Sequence, residues 1–263
     1  MIVFSAFTPH SPLLLPSVNK TKLAKVEKTR QAMQLLADEL YAARPEVVVV
    51  ISSHGAMFDD AYSINLHDKY RLDFKEFGDL TAHRAFTPHL KLIDNLQRSL
   101  RRQQIPMTLS SDEILDYGAA VPLLLLSEHL PDIRIVPVTF SALSAKEHFQ
   151  FGEALKEVLS SCSERVAVIA SGDLSHALTT TSPAGFDKHG PLFDKTVQEC
   201  VVNHNVGGLL KWAPADLAKA KECAYRPLLV LLGLMERVHY DPIVHSYEAP
   251  FGVGFLVVHF ALA

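Results

Sequence analysis

Residues 46–55 read EVVVVISSHG, and this stretch decides the fold class. Residues 47–51 are all β-branched and follow one another without a polar break, which favours a strand with no solvent-facing side. Strands buried on both faces belong to parallel or mixed sheets that helices cover on each side. The polar SSHG sequence then ends the strand and places His54 just beyond its carboxyl end.

Other apolar runs and helical patterns alternate on either side of this strand. Further strands are predicted at 2–7, 105–109, 133–139, 165–170 and 251–260. Helices are predicted at 20–43, 87–103, 117–129, 144–161, about 191–204, 214–219 and about 222–237. We expect a loop or short hairpin at 58–80. The alternation predicts an α/β three-layer sandwich with a central, mostly parallel or mixed sheet flanked by helices, as one domain over residues 1–263.

Composition narrows the class of protein further. The chain has a formal net charge of −4 and 48% hydrophobic residues, without the basic stripe typical of nucleic-acid binding. Its longest apolar runs are too short to span a bilayer, so no membrane partner is expected. Three widely spaced cysteines, Cys162, Cys200 and Cys223, form no disulfide framework. We therefore expect a cytoplasmic protein.

Three histidines follow three of the predicted buried strands. His10 follows the first strand, His54 follows the VVVVI strand and His176 follows the strand at 165–170. Ligands of open α/β sheets gather at the carboxyl ends of the strands, so the three imidazoles are expected to converge. Imidazole is a common metal ligand and an acid–base group near neutral pH. The other ten of the 13 histidines are expected to be solvated or hydrogen-bonded side chains.

No local metal motif such as HExxH or CxxC accompanies these histidines, so the fold itself must assemble the site. Two neutral histidines and one carboxylate, with open positions, form the set that suits non-haem iron(II). Spacing alone does not choose that carboxylate among the 29 acidic residues.

Five short segments stand in order along the chain: TPHSP at 8–12, SSHG at 52–55, ASGDLSH at 170–176, KECAYR at 221–226 and SYEAPFGVG at 246–254. Together they resemble the class III extradiol ring-cleavage dioxygenases of the protocatechuate-dioxygenase catalytic-subunit type. The likeness is greatest to the dioxygenase-like domain of AmmeMemoRadiSam system proteins and to Memo-like proteins, and it covers essentially the whole chain.

The resemblance implies a role for each matched residue. His10, His54 and Glu222 would hold a single metal, iron(II) or alternatively zinc, and His176 would be the acid–base group beside it. Memo-like relatives place a cysteine at the site near this point, which makes Cys223 a reserve ligand, but we expect it to be a small buried residue, as free cysteines usually are. The implied substrates are O2 and a small catechol- or aminophenol-type aromatic, and the implied assembly is a homo-oligomer or a complex with a partner subunit.

One position departs from the family pattern, so more than one function is compatible with the sequence. Ring-cleaving members typically show Asp-His-Gly where this chain has Asp116, Tyr117 and Gly118. Tyrosine donates hydrogen bonds, but its pKa near 10 makes it a poor proton shuttle at neutral pH, which weakens the expectation of ring cleavage. The chain is therefore expected to be an extradiol dioxygenase, a Memo-like metal-binding accessory protein or a zinc-dependent hydrolase.

Overall fold

The structure, a computed structural model, describes residues 1–81 and 84–263. Within these residues the chain forms ten strands and eight α-helices. The strands are β1 (Ile2–Thr8), β2 (Val47–Ser52), β3 (Tyr62–Asn65), β4 (Tyr70–Arg71), β5 (Ala85–Pro88), β6 (Met107–Ser110), β7 (Arg134–Thr139), β8 (Val166–Ser171), β9 (Tyr240–Glu248) and β10 (Phe255–Leu262). The helices are α1 (Glu27–Ala42), α2 (Leu90–Arg102), α3 (Tyr117–Leu126), α4 (Ala145–Ser161), α5 (His189–Val202), α6 (Val206–Leu210), α7 (Pro214–Ala220) and α8 (Tyr225–Leu234).

The strands form one mixed sheet in the order β4-β5-β7-β2-β8-β1-β10-β9. Strands β7, β2, β8 and β1 run parallel and make its centre. Strands β10 and β9 are antiparallel and close one side. On the other side, β5 pairs with the start of β7 and β3 pairs with its end, and β6 extends β3. The predicted mixed sheet is confirmed.

Helices cover both faces of this sheet, and β2 shows why. Val47, Val49 and Ile51 pack in the cluster that contains α2, α4, α5 and α8. Val48 and Val50 point the other way and pack in the cluster that contains α1 and α3. Because side chains alternate along a strand, an unbroken apolar run needs a helical layer on each face. The predicted three-layer sandwich is confirmed.

Several local expectations differ from the structure. The predicted helix at 20–43 begins only at Glu27, after a single 3₁₀ turn at Leu23–Val26. Strand β9 was not predicted, because it is an edge strand whose residues are exposed or half-buried and show no clear alternation. Among the described residues, no helix has both the length and the apolarity needed to cross a bilayer.

Helix α8, which begins within the KECAYR segment, packs close to α4 through two glycines. A Cβ atom on Gly152 of α4 would lie 2.0 Å from the carbonyl oxygen of Val230, and one on Gly233 would lie 2.0 Å from that of Phe149. These are backbone atoms, which cannot rotate away as a flexible side chain can. The glycines therefore fix how near α8, and the residues that lead into it, lie to the rest of the protein.

We predict that Gly152→Ala lowers the free energy of unfolding by about 1–3 kcal/mol, because overpacking at a backbone contact forces α8 outward. Urea denaturation measures this change. Gly207→Ala is the matched control, since a Cβ there meets nothing closer than the Asn205 side chain at 3.6 Å. Equal stability of the two variants would contradict the close packing of α4 and α8.

Candidate metal centre

The parallel register brings three loops to one edge of the sheet. Strand β8 lies between β1 and β2, with Thr8 opposite Ser171 and Ile51 opposite Ala170. The three strands therefore end almost level. The chain that leaves each of them enters the same space, which is where open α/β sheets bind ligands.

His10, His54 and Cys223 meet in this space. The Nε2 atom of His10 lies 3.1 Å from Nε2 of His54 and 3.3 Å from Sγ of Cys223. All three ligand atoms lie within 4.8 Å of one another. His10 is only 1% exposed. The predicted pairing of His10 with His54 is present, and the reserve residue Cys223 supplies the third donor atom.

Hydrogen bonds orient the His10 ring. Ser171 Oγ donates to the Gly118 carbonyl at 2.5 Å, so it accepts the bond from His10 Nδ1 at 2.9 Å. The proton of the neutral ring is thereby held on Nδ1, and Nε2 presents its lone pair to the cluster. Asp173 Oδ1 accepts a bond from the His10 backbone N–H at 2.9 Å and fixes the main chain.

Burial sets the charge of the two imidazoles. Desolvation, together with the nearby His176, lowers the pKa of His10 to about 3. Desolvation, followed by the His10 and His176 charges, lowers the pKa of His54 to about 3 as well. Both rings are therefore neutral near pH 7, which is the form that ligates a metal.

Burial also favours the neutral form of Cys223, which for this residue is the protonated thiol. Desolvation, and then the charges of Asp173 and Glu222, raise the pKa of the Cys223 thiol well above its usual value. The pocket thus disfavours a thiolate when no positive charge is near. A coordinated cation reverses this preference, because a thiol that binds a metal is deprotonated.

A close approach of two backbone segments places Cys223 at the cluster. The Cys223 N–H donates to the Asp173 carbonyl at 3.2 Å, and the Asp173 N–H donates to Cys223 Sγ at 3.3 Å. A Cβ atom on Gly172 would lie 2.4 Å from Cα of Ala224. Only glycine allows this contact, which accounts for the glycine in the ASGDLSH segment.

The structure does not bring Glu222 into the cluster. Its Oε2 accepts a 2.6 Å bond from the Tyr225 backbone N–H at the start of α8. Glu222 also lines a separate cavity with Trp212 and Arg226. Burial raises its pKa to about 7. The carboxylate predicted as a metal ligand therefore satisfies a helix N-terminus, and its neighbour Cys223 faces the histidines.

His176 lies beside the cluster, and one of its two ring nitrogens makes a hydrogen bond to the backbone. Its Nδ1 is 2.7 Å from the Lys221 carbonyl, which can only accept a hydrogen bond. In the neutral ring the proton is therefore on Nδ1, and Nε2 is free to accept another. His176 lines the same cavity as His10 and His54, as the sequence predicted.

Tyr117, the residue that replaces the family's histidine, contacts His54. Its hydroxyl lies 3.2 Å from His54 Nδ1, and the two rings stack with centroids 4.2 Å apart. Desolvation, and then the Cys223 and Asp173 charges, raise the pKa of Tyr117. The phenol stays protonated, and it can orient His54 by accepting its Nδ1 proton when Nε2 binds a metal.

The space next to the cluster is a cavity of about 290 Å³. Besides the histidines and Tyr117, its walls include flat and apolar side chains: Pro12, Phe77, Pro183, Phe251 and Phe255. Small-molecule sites are typically apolar with a few placed polar groups. A planar aromatic ring of modest size matches these walls.

The residues that support the two histidines were not predicted from the sequence. Ser171 and Asp173 lie in a segment that was recognised, yet no role was predicted for either. Asp173 was a signal, because this acidic residue follows closely on a predicted buried strand and stands three positions before His176. Ser52 was missed too: it donates to Asp116, the N-cap of α3, and accepts from the His54 backbone N–H.

The donor set suits a metal ion. Two imidazole nitrogens and one sulfur are ligands of zinc, iron and copper, which bind at roughly 2.0–2.3 Å from such atoms. The Nε2 atom of His10 carries no hydrogen. Its lone pair faces His54 Nε2 at 3.1 Å and Cys223 Sγ at 3.3 Å. The residues present therefore fit a metal ion.

Residues 5–258 match the family described as the catalytic LigB subunit of aromatic ring-opening dioxygenase. The match spans nearly the whole chain, and the chain belongs to this family. Its dioxygenase members are metal-dependent, in agreement with the donor cluster.

Individual relatives are distant. Protein CA_C1420 of Clostridium acetobutylicum is 29% identical over 259 residues, which is 95% of this chain but only 55% of that protein. The 2-aminophenol 1,6-dioxygenase alpha subunit of a Pseudomonas species is 24% identical, with both chains fully covered. The crystal structure of the uncharacterized protein JW3007 of Escherichia coli K12 shares the fold, with a TM-score of 0.67, 19% identity, and coverage of 98% of this chain and 100% of that one.

We predict that cobalt(II) bound to the protein shows a cobalt–thiolate absorption band in the near ultraviolet. Cys223→Ser should abolish the band, because the sulfur donor is gone. Glu222→Gln should keep it, because the amide oxygen still accepts the bond from the Tyr225 N–H. Absence of the band together with loss of cobalt in Glu222→Gln would instead identify Glu222 as the ligand.

Asp194 of α5 anchors the loop that carries His176. Its Oδ1 accepts from the Ser175 N–H and its Oδ2 accepts from the Tyr247 hydroxyl, both at 2.8 Å. Burial raises the pKa of Asp194 to about 7. The folded protein therefore holds this proton more tightly than the unfolded chain does, and the contribution to stability falls as the pH rises from about 4 to about 7.

We predict that wild-type protein loses stability relative to Asp194→Asn across this pH window, since the amide cannot ionise. The expected upper limit is about 1.4 kcal/mol per pH unit. Urea denaturation of both proteins at several pH values measures the difference. A difference that does not change with pH would show that Asp194 is ionised in the folded protein throughout.

Proposed function

We propose that this protein is a metal-dependent ring-opening dioxygenase that acts on a small aromatic ring with adjacent hydroxyl groups, or adjacent hydroxyl and amino groups. The observation that carries the proposal is the aromatic-walled cavity, which opens directly onto the donor cluster and the His176 ring. Membership of the family and the likeness to a 2-aminophenol 1,6-dioxygenase subunit support this substrate class.

His10, His54 and Cys223 would hold the metal, for which we propose iron(II), with zinc as the alternative. When bound, the metal would supply Lewis acidity toward the two adjacent substituents of the ring. The protein's own part is to present two neutral imidazoles in fixed orientations. Ser171 fixes the tautomer of His10, and Tyr117 contacts the outer nitrogen of His54.

His176 would take a proton from the substrate. The Lys221 carbonyl holds its Nδ1 proton, so Nε2 is the basic atom. A base in this place would remove the proton of a ring hydroxyl, a role that a histidine fills near neutral pH. Both atoms of O2 would be incorporated in the opened product, so no external reductant is required.

A metal-binding accessory role without ring opening is the second candidate, and two observations favour it. The group that lies close together pairs the two histidines with the Cys223 sulfur, which differs from the two-histidine, one-carboxylate arrangement of iron(II) oxygenases. Tyr117, whose pKa burial raises, cannot relay protons near neutral pH as a histidine would.

We also propose that the chain acts as one domain in the cytoplasm, in a homo-oligomer or with a partner subunit. The name of the Pseudomonas relative, an alpha subunit, supports an assembly of subunits. A reducing compartment would keep the free thiol of Cys223 available to a metal.

We predict that iron(II)-loaded protein, purified without oxygen, consumes O2 with catechol or 2-aminophenol and releases a ring-opened product. His176→Gln should reduce kcat by about 10²–10⁴-fold at unchanged iron content, because it removes the base but no ligand. His129→Gln, at an exposed position outside the cavity, is the matched control. Full iron occupancy without O2 uptake across a panel of such aromatics would favour the accessory role.

A further inference from the structure

A second group of potential ligands lies outside the cavity. Glu39 of α1, His245 of β9 and His259 of β10 bring one donor atom each to within 4.8 Å of one another. None of these residues belongs to the first cluster or lines its cavity. They join parts of the chain that are more than 200 residues apart.

A β-bulge aims His245 at this place. Val257 of β10 pairs with Ser246, whereas the next residue, Val258, pairs with Val244. His245 is therefore the extra residue of β9, opposite no partner. Bulges redirect a side chain out of the regular alternation, and here the ring turns toward α1.

One carboxylate oxygen faces both imidazoles. Glu39 Oε2 lies 2.9 Å from His245 Nε2 and 3.0 Å from His259 Nδ1. The first contact is a hydrogen bond. The second is not: His259 Nδ1 is fully buried and makes no aligned hydrogen bond, despite the short distance. The first nitrogen thus has an aligned hydrogen bond, whereas the second has Glu39 Oε2 nearby only as an unaligned contact at 3.0 Å.

The His259 ring is held in place. It stacks on Phe4 with centroids 4.8 Å apart, on the face of the sheet that α1 covers. Burial lowers the pKa of His259, and the neighbouring Glu39 carboxylate opposes this shift. Glu39 is about one-third exposed, so water has access to the third side of the group.

We propose that Glu39, His245 and His259 form a second binding site for a divalent transition metal of the zinc type. Two imidazoles and one carboxylate, with water as the fourth ligand, are a common zinc donor set. Such a metal would satisfy the buried His259 nitrogen and tie α1 to the β9–β10 edge of the sheet. Glu248, at the end of β9, is not part of this group, and its Oε1 accepts both the N–H and the hydroxyl of Thr29.

The test is a calorimetric titration of chelator-treated protein with Zn²⁺ alone. Wild-type protein should bind two zinc ions per chain, and the double variant His54→Ala, Cys223→Ser should bind one. Adding His245→Ala or Glu39→Gln to the double variant should weaken the remaining binding at least tenfold. His239→Ala, which removes an exposed histidine just before β9, is the matched control and should leave it unchanged.

Thermal unfolding separates binding from misfolding. Zn²⁺ should raise the Tm of the double variant but not that of the same protein with Glu39→Gln, and the two should have equal Tm values in chelator. The proposal is overturned if the double variant binds no zinc, or if neither His245→Ala nor Glu39→Gln weakens its binding. These outcomes do not depend on the activity of the first site.

Discussion

The parallel register of β1 and β2 against β8 is the constraint on which the rest of the site depends. Thr8 stands opposite Ser171, and Ile51 stands opposite Ala170. Because the strands end level, His10 and His54 leave the sheet beside the chain that carries Ser171 and its hydrogen bond. A slip of one residue would turn every side chain to the other face and separate His10 Nδ1 from its acceptor. The packing of the core therefore determines the geometry of the donor cluster.

The burial that stabilises those strands also sets the chemistry of the cluster. It removes water from His10 and His54 and keeps both rings neutral, and it keeps the Cys223 thiol protonated until a cation is present. Three neutral donors in a largely buried place do not repel a cation. The pocket is thus arranged for a metal before one binds. The polar atoms that face away from the metal position, Ser171 Oγ and the Tyr117 hydroxyl, fix the orientation of the rings.

Apolar runs predicted the central strands, and strand-end placement predicted the convergence of His10 and His54, because both follow from burial and strand direction alone. The third donor did not follow, because Glu222 and Cys223 are neighbours and a one-residue difference decides which faces the cluster. Helix α8 was predicted from about 222 but begins at Tyr225, so Glu222 acts as a cap for its N-terminus. The Glu39 group was equally invisible in the sequence, since it depends on a bulge that no periodicity reveals.

X-ray absorption at the iron edge identifies the ligands of the first site directly, in protein that carries His245→Ala so that the second group of ligands does not contribute. We expect one sulfur scatterer at about 2.3 Å from the metal, together with imidazole nitrogens, and loss of the sulfur signal in Cys223→Ser. A first coordination sphere of nitrogen and oxygen alone would contradict it and would return Glu222 to the metal.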